Sequence, residues 1–144
     1  WTALHMAGRG LTTRVASIAG VNPGLWGELV ADSDDARNFS HTFFEYSLPP
    51  LSGVDADTLI DEVVEYMDEF DTMQFATKLS QLNVLLVAGE CDEGVPPPLH
   101  HTPLVTLLEK KQAQNLTHTI LDADHGFNDK RITLARLILD WLEN

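Results

Sequence analysis

An aspartate and a histidine each stand just past a stretch of this chain that reads as a strand, a placement that suits proton transfer. Asp92 lies three residues beyond Gly89, the end of the run Asn83–Gly89 (NVLLVAG), in a turn tightened by Gly94 and fixed by Pro96, Pro97 and Pro98. His125 lies four residues beyond Leu121, the end of Leu116–Leu121 (LTHTIL), and is followed by Gly126. A carboxylate on a rigid elbow accepts a hydrogen bond from an imidazole, fixes its tautomer and stabilises the imidazolium formed during proton transfer. Histidine suits the base because its ordinary pKa lies near neutrality. Each residue also has an everyday structural use: an Asp in a turn commonly bonds its own backbone, and a His before Gly is commonly a loop residue.

Other reactive side chains fit chemistry less well. Cys91 adjoins Asp92, but neighbouring strand-end residues point in different directions, and the acids around it raise a thiol pKa rather than lower it. His100 and His101 are consecutive, so they do not share one face, and their spacing matches no standard zinc pattern. They are expected on the loop or first turn leading into the next helix. His5, His41 and His118 read as packing or surface residues. No Gly-rich phosphate loop follows a strand, so nucleotide binding is unsupported, and with no zinc-like spacing either, neither cofactor nor metal is expected.

The elements that must hold Asp92 and His125 follow from periodicity. Trp1–Ala7 reads as a helix ended by Gly8 and Gly10, and Arg14–Val21 as a buried strand closed by Asn22-Pro23-Gly24. The chain starts as the inside of a helix without an N-cap, which leads to the expectation that the biological chain begins earlier. From Trp26 to Asp55 the pattern is lost among polar clusters, Pro49-Pro50 and Ser52-Gly53, so an irregular or lid-like insert is expected at about 25–55. Asp55–Phe70 regains a helical stripe, with eight acids and no Lys or Arg from Asp55 to Asp71; those acids read as a solvated face rather than a metal site.

Five consecutive apolar residues in NVLLVAG suit a strand covered on both faces of a parallel sheet. A helix over Pro103–Gln112, the strand Leu116–Leu121 and a last helix over Asp129–Glu143 complete the order. Strands separated by helices imply right-handed parallel crossovers. The fold class expected is therefore α/β, a single domain over 1–144 with layered helices on a small, mostly parallel sheet of about three strands. Reactive groups of such sheets gather beyond the carboxyl ends of the strands, where Asp92 and His125 both fall.

Nine Lys plus Arg against 22 Asp plus Glu give a formal charge of −13, which argues against nucleic acid or an anionic membrane as partner. No apolar run approaches the roughly 18 residues that would span a bilayer. One cysteine excludes an internal disulfide, so a soluble, cytoplasmic protein is expected.

The pattern G-E-x-D-x-x-V-P, here Gly89, Glu90, Asp92, Val95 and Pro96, together with D-H-G-F at Asp124–Phe127, resembles the C-terminal part of the α/β-hydrolase superfamily. The branch it is most similar to includes dienelactone hydrolases and prolyl-oligopeptidase-like peptidases. Residues 80–144 carry the resemblance, residues 1–22 more loosely, and residues 25–75 hardly at all. The resemblance implies that Asp92 is the triad acid and His125 the triad base of a serine hydrolase acting on a small ester, amide or lactone. Its nucleophile would lie in G-x-S-x-G, a motif this chain lacks; Ser17, in the middle of a strand, is a poor substitute.

The nucleophile is therefore expected upstream of residue 1, and the chain alone is expected to be inactive. The competing expectation is a non-catalytic, truncated hydrolase-like binding or assembly module. In either case the strand at 14–21 would be an open edge, expected to be covered by a missing N-terminal half or by another copy of the chain.

Overall fold

The apolar run Val84–Ala88 is buried throughout and forms the middle of the sheet, where helices cover it from both sides. The structure, a computed structural model, describes residues 1–47 and 52–143. In chain order the elements are α1 (Thr2–Gly8), β1 (Arg14–Ile18), α2 (Pro23–Asp32), α3 (Asp34–Ser47), α4 (Ala56–Glu65), α5 (Met67–Phe70), a 3-10 turn (Thr72–Phe75), α6 (Ala76–Leu79), β2 (Asn83–Gly89), α7 (Pro97–His100), α8 (Thr102–Lys110), β3 (Asn115–Leu121) and α9 (Arg131–Glu143). The protein is α/β, with a three-stranded, all-parallel sheet in the order β1-β2-β3. Its residues fall into two compact units, Trp1–Val21 with Thr72–Asn144, and Asn22–Asp71.

The first unit holds the sheet. Strand alternation sends Val84 and Leu86 to one face, where they meet Val15, Leu4 and Ala7 of α1, Leu79 of α6 and Leu104 and Leu108 of α8. Leu85 and Val87 go to the other face and meet Phe127 and Trp141, with Leu134, Leu137 and Ile138 of α9 packed alongside. Each Val, Leu, Ile or Phe among them stabilises the fold by about 1.5–3 kcal/mol when fully buried.

The C-terminal end of α9 is tied to the amino ends of the strands. Trp141 Nε1 donates to Asn83 Oδ1 at 2.6 Å. The Arg14 guanidinium lies 4.9 Å from the Trp141 ring centroid and donates to the carbonyls of Trp141 and Leu142. A cation among the last carbonyls of a helix meets acceptors that the helix itself leaves unpaired.

The strands agree closely with the sequence expectation: β2 has the expected limits, β3 starts one residue earlier, and β1 stops at Ile18 instead of Val21. The early stop has a local cause: Ala19 N–H makes the last bond to β2, on Val87 O at 2.8 Å, and its backbone then turns to φ 47 and carries the chain out of the sheet.

The second unit corrects one expectation outright: much of the stretch expected to be irregular is helical. Asn22 starts α2 by accepting from Gly24 N–H at 3.1 Å, with Pro23 in the first turn, and the Ser33 hydroxyl accepts from Ala36 N–H as α3 begins. Ser40 is buried, accepts from Trp26 Nε1 at 2.9 Å and donates to Ala36 O, while Trp26 stacks on Phe44. Ser40 and Phe44 thus share the inward face of α3, while Phe39, Phe43 and Tyr46 are exposed, so the apolar stripe of the helix is not its buried face. The expected turn signal at Pro49-Pro50 lies outside the described residues. The helix expected over Asp55–Phe70 is capped by Asp55 and interrupted at Tyr66, which separates α4 from α5.

Candidate active site

Two loops leave the carboxyl ends of β2 and β3 and are joined by backbone hydrogen bonds. Glu90 N–H donates to Leu121 O at 2.7 Å, and Cys91 N–H donates to Ala123 O at 3.0 Å. The approach is close because Gly89 has no side chain: a Cβ there would lie 2.6 Å from Ala123 O and 2.9 Å from Asp124 O. The glycine sets how near the His125 loop comes to the Asp92 loop.

Asp92 uses its two carboxylate oxygens differently. Oδ1 accepts from Gly94 N–H at 3.1 Å and Val95 N–H at 2.8 Å, the hydrogen bonds that shape the elbow. Oδ2 lies 2.8 Å from His125 Nδ1. The turn-forming use and the imidazole-orienting use are made by one side chain at once. Val95 is buried beneath the elbow, and Pro97 opens α7, so the turn is held at both ends.

His125 is held from behind and open in front. Phe127 is buried at 3% exposure in the core below, with its backbone at φ 50, a left-handed conformation unusual for a bulky residue. Phe127 N–H closes the turn on Asp124 O. The Asp92 side chain is 1% exposed and the His125 side chain 62%. Because an ionised carboxylate only accepts, Nδ1–H is the donor of the pair, and in the neutral ring that tautomer leaves the lone pair on Nε2. That is the arrangement of a general base oriented by an acid.

Among the described residues no Ser, Thr or Cys side chain hydrogen-bonds to the His125 ring. Ser17 Oγ occupies the space where a Cβ at Gly20 would sit, on the strand rather than at the loops. Cys91 Sγ donates to Asp122 Oδ1 at 3.7 Å, and burial first, then the Asp122 carboxylate, push its thiol pKa up. The thiol is held in its less nucleophilic form.

His100 ends α7 and His101 links it to α8, both buried. Glu109 pairs with His118 at 3.4 Å, and the His101 and His118 ring centroids are 6.2 Å apart. Among the described residues no three His, Cys, Asp or Glu side chains are grouped to hold a metal. The roles of Gly89 as spacer and of Val95 and Phe127 as anchors were not read from the sequence. The available signals were a glycine ending an apolar run and apolar residues isolated in polar loops.

No protein-family model and no curated protein matches the chain. Among the described residues no helix is long and apolar enough to cross a membrane.

Proposed function

We propose that the chain supplies the acid and base of a serine-type hydrolase acting on a small ester, amide or lactone, with the nucleophile supplied from upstream of residue 1. The observation that carries this reading is the 2.8 Å contact between a buried Asp92 and an open His125 beyond the carboxyl ends of two parallel strands. His125 Nε2 takes the proton of the attacking hydroxyl and returns it to the leaving group. Asp92 holds the ring and stabilises the imidazolium. The resemblance to α/β hydrolases of the dienelactone hydrolase and prolyl-oligopeptidase-like branch supports the assignment of these roles. The single cysteine is in keeping with a cytoplasmic setting.

The competing reading is a non-catalytic binding or assembly module, which is favoured because among the described residues no hydroxyl or thiol bonds to the His125 ring. β1 bears on both, because among the described residues it pairs with β2 alone and its other edge is open. In the enzyme reading that edge receives the upstream half of the sheet; in the module reading it receives another copy. Sequencing the reading frame upstream of Trp1 separates the two. A G-x-S-x-G segment preceded by strand-like runs supports the enzyme, and a frame that starts at Trp1 overturns it for this chain.

A further inference from the structure

The opposite edge of the sheet carries a different message. Among the described residues β3, Asn115-Leu-Thr-His-Thr-Ile-Leu121, pairs with β2 alone, and it holds no Lys, Arg, Asp, Glu or Pro, the residues that usually protect an exposed edge from pairing. Because Leu121 O accepts from Glu90 N–H, the odd-numbered residues of β3 direct their backbone groups toward the β2 side. Leu116, His118 and Ile120 therefore direct theirs to the open side. The sequence around His118 is nearly the same in both directions: Thr117 and Thr119 flank it, then Leu116 and Ile120.

We infer that a second copy of this chain adds to β3 in antiparallel pairing, with a two-fold axis at His118, to form one continuous six-stranded sheet across two copies. In that register the outward backbone groups of Leu116, His118 and Ile120 meet those of Ile120, His118 and Leu116 of the other copy, so every edge donor finds an acceptor. Side chains match as well, Thr opposite Thr and Leu opposite Ile, pairs that favour antiparallel strands.

Charge agrees with the same orientation. Lys110 and Lys111 precede β3, while Asp122 and Asp124 follow it, so antiparallel addition sets the basic end of one copy beside the acidic end of the other. This complementarity is local to the edge and opposes the repulsion expected between copies with a formal charge of −13 each. A groove of about 340 Å³ runs between Asn115–Thr117 of β3 and Leu137 and Asp140 of α9. Thr119 and Leu121 of the second copy would close its open side. The contact is isologous, so it uses the β3 edge of both copies and does not by itself propagate.

The test uses the whole chain with Cys91→Ser, so that no native thiol competes. Chains carrying Thr117→Cys and chains carrying Thr119→Cys are oxidised mildly, separately and mixed. Residues 117 and 119 face each other across the axis, so a disulfide-linked dimer is expected in the mixture and not in either sample alone. Sedimentation of the unmodified chain is expected to show the mass double with concentration, and Ile120→Lys, at an exposed position, to keep it single while the circular dichroism spectrum is unchanged. Equal cross-linking in the separate samples would overturn the His118-centred register. A chain that stays monomeric and gives no linked product would overturn the dimer and leave β3 open to a strand of a different protein.

Discussion

Asp92 and His125 are 33 residues apart in sequence and 2.8 Å apart in space, and the same carboxylate that orients the imidazole also builds the turn on which it sits. One oxygen is committed to Gly94 and Val95 and the other to the ring. The acid can therefore be neither rotated away nor replaced by a residue that satisfies only one side.

Two substitutions at Asp92 separate these duties. Asp92→Ala leaves the amides of Gly94 and Val95 without acceptors, the second of them buried, and is expected to cost about 1–3 kcal/mol of stability. Asp92→Asn keeps an acceptor for both amides but sets an NH₂ group against the ring, so stability is largely retained while the His125 tautomer reverses. Chemical denaturation reads the first effect and ¹⁵N chemical shifts of the imidazole read the second. An Asn variant in which Nδ1 stays protonated would contradict the proposed pairing.

Gly89→Ala tests the spacing of the two loops. The new methyl group meets the backbone carbonyls of Ala123 and Asp124, which cannot yield as a flexible side chain would. Overpacking of this kind costs about 1–3 kcal/mol. The expected outcome is a lower denaturation midpoint together with weakened protection of the Glu90 and Cys91 amides in hydrogen exchange. Normal stability and protection would show that the loops do not depend on this contact.

The strands were legible in the sequence because their signal is local: NVLLVAG is a short apolar run without alternation, bounded by Gly89, and suits a strand covered on both faces. α3 was not, because its inward face mixes Ser40 with Phe44 while Phe39 and Tyr46 are exposed, so hydropathy does not mark the buried side. For the site, the residue types and the strand-end positions of Asp92 and His125 could be read directly. The division of labour between the two Asp92 oxygens, the Gly89 contact and the left-handed Phe127 depend on how two loops meet, and separation in sequence hides that.

His101 gives the fold a sensitivity to acid. Its Nε2 is buried without a hydrogen-bond partner among the described residues, and burial, then the neighbouring His118, lower its pKa from 6.5 to about 4. The unfolded chain takes up the proton from about pH 6.5 downward, whereas the folded chain resists it. The stability associated with a neutral His101 is thus complete above pH 6.5 and is lost as pH falls toward 4. Urea denaturation at pH 7 and pH 4.5 is expected to show a fall in midpoint that is smaller in His101→Gln. An identical fall in both proteins would assign the acid sensitivity elsewhere.

The most direct test of the central claim is ester hydrolysis by two forms of the protein, the 144-residue chain and the chain extended upstream through its own reading frame. The chain alone is expected to show no turnover of an activated ester that depends on His125. The extended form is expected to turn it over and to lose activity by on the order of 10⁴-fold or more in His125→Ala. Turnover by the chain alone that disappears in His125→Ala, or an extended enzyme indifferent to that substitution, would contradict the account.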